Sequence, residues 1–412
     1  MRGAVRPRHV ADPRGGPRQA AYPDTFGLRA TITWRAVRPK EWNGKRGLWY
    51  PGQKCFVPEA NVSDATPKKM DVQEEGGTVT NRQRVLASLD HRQPDKTPYN
   101  IGFTEKARAR MAEYYGDADF ACQLENCLTT LDVKPHDFWQ EVRPNVWQDD
   151  FGVQWDRSID KDIGTPCNQV VTPGNLAEFR FPDPDDARRW APFPAAVADK
   201  SETFVVAALG FSLFERAWTL CGMANLLTAM ATSPGFVHAL LDRILEFNLR
   251  IVDRACSYAI DGMYFGDDWG CQAGLLMGPN LWREYIKPRI RQMYEAVRAQ
   301  GKFVFIHSCG KVQELFPELI ECGLDVFNPF QPEVTDVAGA KARYGGRLSF
   351  YGGISTQKTL PYGTVADVED EVKRLIEIVG KDGGYIAAPA HAIPGDAKPE
   401  NVAAMIEVLQ GQ

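Results

Sequence analysis

The fold is written most plainly in Phe303-Val-Phe-Ile-His-Ser-Cys-Gly310. Four apolar residues without alternation form a buried parallel strand, and the run ends abruptly in a histidine, a serine, a cysteine and a glycine. The same grammar recurs around it. Gly262–Phe265 precedes Gly266-Asp-Asp-Trp-Gly270, Asp325–Phe327 precedes Asn328-Pro-Phe-Gln331, Leu348–Tyr351 precedes Gly352-Gly353, and Tyr385–Ala388 precedes Pro389-Ala-His391. Tyr99–Phe103 and Phe204–Leu209 are two further runs upstream. In the second half the strand starts fall about 22 to 40 residues apart, the length of a βα unit.

Seven such strands and an eighth not assigned make an α/β chain, a (β/α)8 TIM barrel over residues 78–412, with its chemistry at the carboxyl ends of the strands. A doubly wound open sheet is the competing fold. It lacks its usual mark, a G-x-G-x-x-G after an early strand. Helix signals fit between the strands. Thr80-Asn-Arg-Gln83 is a capping-box pattern ahead of Val85, Leu86 and Leu89. Ser233-Pro234 opens a stripe of Val237, Leu240, Leu241, Ile244 and Leu245, and Thr364 opens a helix that is expected to close at a left-handed Gly380.

Residues 1–77 differ: rich in Arg, Pro and Gly and without apolar periodicity, they read as a disordered extension, or as a start assigned upstream of a natural Met70. Residues 1–70 hold 14 Lys+Arg against 5 Asp+Glu, a net of +9, which leaves the remainder at −14 within a total of −5. An acidic body is a poor nucleic-acid binder, because that binding needs Lys and Arg on phosphates. The best apolar run, Phe204–Phe214, is interrupted by Gly210 and Ser212, so no membrane span is expected. Nine scattered cysteines without a secretory signal point to a reduced cytoplasm.

The residues just past the strands are the candidate site. A His and a Cys two apart point the same way along a pleat, so His307 and Cys309 can meet one Zn²⁺. A catalytic zinc wants a third protein ligand, and His391 at the last strand end is the candidate, with Asp267, Asp268 or Glu215 as carboxylate substitutes. The plain alternative for His307 and Cys309 is a hydrogen-bonding imidazole and a packed thiol. Asp267 and Asp268 can act as acid and base, or hold turn amides and helix amino termini. Gly352-Gly353 allows a close phosphate approach or, more simply, a tight turn. Glu215, Asn328, Gln331 and Trp269 complete the expected substrate contacts, although Trp269, Trp282 and Phe330 read equally well as core.

Taken together, these segments resemble the uroporphyrinogen decarboxylase superfamily from about Thr80 onward. The resemblance is carried by Asn81-Arg-Gln-Arg-Val85, Phe265-Gly-Asp-Asp-Trp-Gly270, Gly278-Pro-Asn-Leu-Trp-Arg-Glu-Tyr-Ile-Lys-Pro288, His307-Ser-Cys-Gly310, Asn328-Pro-Phe-Gln-Pro332, Tyr351-Gly-Gly-Ile-Ser-Thr-Gln357, Leu360-Pro-Tyr-Gly-Thr364 and Gly383-Gly-Tyr-Ile-Ala-Ala-Pro-Ala-His391. It implies a (β/α)8 barrel and one of two activities. The decarboxylase branch acts on a tetrapyrrole without metal and carries an arginine-bearing segment near its amino terminus. Here Tyr99-Asn-Ile-Gly-Phe-Thr-Glu-Lys-Ala lacks that segment, and Arg108 and Arg110 look like a helix face. The other branch resembles corrinoid-dependent methyltransferases, which bind zinc through H-x-C and a later Cys and move a methyl group between a cobalamin-bearing protein and a thiol or small methylated compound. His307 and Cys309 match that motif, and His391 stands where the later Cys is missing. The expectation is a zinc-dependent methyltransferase with a corrinoid partner. The decarboxylase and a non-catalytic corrinoid- or tetrapyrrole-binding barrel are the alternatives.

Overall fold

The computed structural model describes residues 79–134, 138–198 and 202–412, together with the backbone of three short strands nearer the amino terminus. Those three, Lys40–Trp42, Lys45–Leu48 and Val57–Pro58, pair antiparallel within a separate unit, Met1–Asp71. The expectation of disorder over residues 1–77 otherwise falls outside the described residues.

The second unit, Val72–Gln412, is built on seven parallel strands. They are β1 (Leu128–Asp132), β2 (Phe204–Leu209), β3 (Gly262–Gly266), β4 (Phe303–His307), β5 (Val326–Asn328), β6 (Ser349–Ile354) and β7 (Tyr385–Pro389), each paired with its neighbour in that order. An extended segment at residues 99–103 closes the ring. Asn100 donates its N–H to the Ala387 carbonyl at 3.0 Å, Ala387 donates to Pro98 at 2.8 Å, and on the other side Cys127 donates to Tyr99 at 3.0 Å. The barrel therefore has eight members, and β1 is the strand the sequence reading left unassigned. Its sequence, Leu-Thr-Thr-Leu-Asp, is too polar to stand out as an apolar run.

Period-two alternation sorts the side chains. Phe204, Val206, Phe305, Val326, Ile386 and Ala388 fill the interior with Tyr264 and Tyr351, whereas Val205, Ala207, Met263, Phe265, Val304 and Ile306 face the surrounding helices. Helix α1 (Asn81–Leu89) contributes Val85 and Leu89 to that interior cluster, and Thr80 with Gln83 forms the expected capping box at its start. Helix α2 (Phe214–Cys221) follows β2, and α3 (Pro234–Cys256) buries the Val237, Leu240, Leu241, Ile244 and Leu245 stripe. Thr364 caps α4 (Val365–Ile378) through a second capping box. Gly380 is not left-handed, contrary to expectation. It lacks a side chain because a Cβ there would stand 2.4 Å from the Ile376 carbonyl oxygen. Among the described residues no helix is long and apolar enough to cross a membrane.

Candidate metal centre

The alternation that fills the barrel also aims the site. Phe303 and Phe305 belong with the interior cluster, so His307, two residues on, points into the barrel mouth, and Cys309 follows the same parity past the strand end. Sγ of Cys309 lies 3.3 Å from Nε2 of His307. His391, from the loop after β7, completes a cluster whose three ligand atoms all lie within 4.8 Å of one another. Two ligands of one tetrahedral zinc, with bonds of about 2.1 and 2.3 Å, stand about 3.5 Å apart, so the His307–Cys309 spacing already suits an ion between them.

Asn328 settles which nitrogen of His307 is free. Its Nδ2 donates to the Tyr351 carbonyl at 2.9 Å, which turns Oδ1 toward His307 Nδ1 at 2.5 Å and the Tyr264 hydroxyl at 2.6 Å. A carbonyl oxygen only accepts, so Nδ1 carries the proton and Nε2 presents its lone pair to the cluster. This is the arrangement in which an outer partner orients a metal-binding imidazole. Two nitrogens and a thiol are a borderline-soft donor set that suits zinc and not magnesium or calcium.

The two adjacent aspartates do different things, for the same reason of parity. Asp267 continues the outward face of Met263 and Phe265 and is fully buried. Its carboxylate accepts N–H groups of Leu213, Phe214 and Glu215 at 2.8 to 3.2 Å and Nε1 of Trp269 at 2.6 Å, which anchors the start of α2. Burial pushes its pKa up to about 6, against four donors that favour the charged form. Asp268 points inward, accepts the Cys309 N–H at 2.7 Å and stands 3.9 Å from His307 Nε2. Glu215, in the first turn of α2, is held well above the usual carboxylate range by burial and then by Asp268 and Asp267.

Burial first, and then the Asp268 charge, raise the Cys309 thiol pKa, and burial followed by His307 lowers that of His391. A bound cation reverses the first of these trends, since a coordinating thiol is deprotonated.

The remaining expected residues divide. Gln331 lines a cavity of about 460 Å³ that opens beside Cys309 and His391. Trp269 and Trp282 are fully buried and pack ring to ring at 5.6 Å. Phe330 is also fully buried and stacks on Phe350 at 4.1 Å. Gly352 and Gly353 are buried in β6, and a Cβ on Gly352 would meet the Pro329 carbonyl oxygen at 1.8 Å, so the close neighbour in this structure is the chain itself. Two polar residues at the rim had no counterpart in the sequence reading. Asp132 ends β1 and Lys134 follows it, where Lys134 donates to the Gly210 carbonyl and its pKa is pushed down to about 7 by loss of water and by Arg216. Assigning β1 would have found both.

A family model described as uroporphyrinogen decarboxylase (URO-D) matches residues 167–411, more than half of the chain. The chain belongs to the URO-D family. Its relatives include a decarboxylase and a methyltransferase. A uroporphyrinogen decarboxylase from Methylococcus capsulatus is 23% identical over 189 residues, 44% of this chain and 50% of the relative. The methylcobamide:CoM methyltransferase MtaA of Methanosarcina barkeri is 26% identical over 132 residues, 32% of this chain and 36% of the relative. These matches thus span half or less of either relative. A solved structure of a methyltransferase from Methanosarcina mazei shares this fold, with a TM-score of 0.60 at 18% identity, covering 81% of this chain and 99% of that one.

Proposed function

We propose that this URO-D family member is a zinc-dependent methyltransferase that moves a methyl group between a corrinoid, carried on a partner protein, and a thiol or small methylated compound. One observation carries the reading: His307, Cys309 and His391 converge at the barrel mouth with the His307 tautomer fixed by Asn328. The methyltransferases among the similar proteins support it.

His307 and His391 would hold the ion through neutral nitrogens and Cys309 through its thiolate. A zinc ion held there would supply the positive charge that keeps a substrate thiol deprotonated at neutral pH. Asn328 fixes the imidazole, and Asp268 fixes the Cys309 backbone while facing the same space. Glu215, beside Asp268 and favouring its protonated form, can give up or take a proton there. Cys309 has to remain reduced, so a cytoplasmic setting is part of the proposal.

The test is methyl transfer from methylcobalamin to thiols by the zinc-loaded protein, compared with Cys309→Ala. Transfer by wild type that is lost in the variant supports the reading. Metal-independent turnover of a porphyrinogen would replace it with the decarboxylase named among the relatives.

A further inference from the structure

The cavity beside the metal centre has a chemistry of its own. Cys309 and His391 form one wall, and Gln331, Thr356, Gln357 and Asp396 supply the polar groups of the rest. Gln331 and Thr356 are each only 8% exposed, yet among the described residues neither side chain has a hydrogen-bond partner in the protein. Their polar atoms are not among those sealed from solvent, so the amide and the hydroxyl open onto a cavity of about 460 Å³ and are free to bond whatever fills it.

The charges of that lining are one-sided. It contains no lysine or arginine, and Asp396 brings a carboxylate. Of the cations around it, Arg110 is held by the carbonyls of Gly395 and Ala397, the Lys106 stem passes against Gly395, Lys398 donates to the Gly363 carbonyl at 2.9 Å, and Lys358 follows Gln357 in the chain without lining the cavity. At the metal side the groups facing the mouth include Asp268 and Glu215, and the chain from residue 71 onward is net −14.

The geometry points to this cavity as the subsite for the tail of the substrate whose sulfur reaches His307, Cys309 and His391, and to a tail that is polar and neutral or cationic, not a sulfonate or carboxylate. For the sulfur end the inference rests on the methyltransferase reading; the tail preference rests on the cavity alone. Gln331 and Thr356 give the tail an amide and a hydroxyl, and Asp396 repels an anion.

Three thiols of equal length make the test: 2-mercaptoethanol, 2-aminoethanethiol and 2-mercaptoethanesulfonate. Zinc per chain is measured first, by elemental analysis. Binding is then followed by titration calorimetry on zinc-loaded full-length protein and by saturation-transfer NMR on metal-stripped protein. The neutral and cationic thiols are expected to bind at least about tenfold tighter than the sulfonate, the effect of one negative charge sharing a partly screened cavity with Asp396. Asp396→Asn, an exposed change, should narrow the gap between cationic and anionic thiols and leave the neutral one as it was. Thr356→Val, close in shape, should weaken the neutral thiol by about fivefold through the lost hydrogen bond. A sulfonate that binds as well as the others overturns the tail assignment while leaving a zinc-binding protein a methyltransferase candidate. Failure to bind zinc overturns that candidacy, and the tail ranking on metal-stripped protein still decides the cavity assignment.

Discussion

Replacing Asn328 by leucine should weaken zinc binding without removing any of the three ligands. Asn328 is 6% exposed and makes three hydrogen bonds, accepting from His307 Nδ1 at 2.5 Å and the Tyr264 hydroxyl at 2.6 Å and donating to the Tyr351 carbonyl at 2.9 Å. Leucine leaves all three partners without a mate, so His307 loses the contact that selects its tautomer and holds its ring. Loss of such an outer partner typically costs about 10- to 100-fold in metal affinity, roughly 1.4 to 2.7 kcal/mol. Aspartate at the same position is the informative control. Its carboxylate still accepts from His307 and Tyr264 but sets an oxygen against the Tyr351 carbonyl in place of a donor, so Asn328→Asp should bind zinc more tightly than Asn328→Leu. The assay is competition against a chromophoric chelator at pH 7.5, with circular dichroism to establish that each variant is folded. A folded Asn328→Leu protein with wild-type zinc affinity would refute the argument that Asn328 orients the ligand.

Three further outcomes follow from the packing. Asp267→Asn should lower stability by about 2 to 4 kcal/mol in urea unfolding, because an amide offers one acceptor oxygen and a clashing NH₂ to four donors; an unchanged midpoint would contradict the anchoring role. Gly352→Ala should cost more than about 3 kcal/mol or abolish soluble expression, since φ is +128° and the new Cβ meets the Pro329 oxygen; a well-behaved variant would contradict that contact. Lys134 gives a pH signature. Its pKa is depressed to about 7 in the folded protein against about 10.5 unfolded, so between those values the unfolded chain binds more protons and stability rises with pH. Below about pH 7 the full desolvation cost is present. Lys134→Met removes it, and the variant's stability relative to wild type should therefore be on the order of 1 to 3 kcal/mol higher at pH 6.5 than at pH 9.5; a difference independent of pH would contradict the shift.

Much of this was legible because parallel strands buried on both faces write themselves as unbroken apolar runs. Phe303–Ile306 and Tyr385–Ala388 are of that kind, and the polar residues after them gave His307, Cys309 and His391 before any geometry was known. Leu128–Asp132 was missed because Thr129, Thr130 and Asp132 break the run, and with it went Asp132 and Lys134 at its carboxyl end. Asp267 and Asp268 could have been separated in principle: parity counted from Met263 and Phe265 turns Asp267 outward and Asp268 inward. The Asn328 contact to His307 was beyond pattern, since it depends on the register that sets β4 beside β5 with His307 opposite Asn328. Gly380 was misread because a glycine after a helix serves close approach as readily as a left-handed turn.

Zinc per chain decides whether these three side chains form a metal centre, measured by elemental analysis on untagged protein purified without added metal, for wild type and for His307→Ala, Cys309→Ala and His391→Ala. A metal centre at His307, Cys309 and His391 predicts close to one zinc in wild type and its loss in all three variants. A folded wild-type protein that takes up no zinc, even when zinc is offered under reducing conditions, would contradict it.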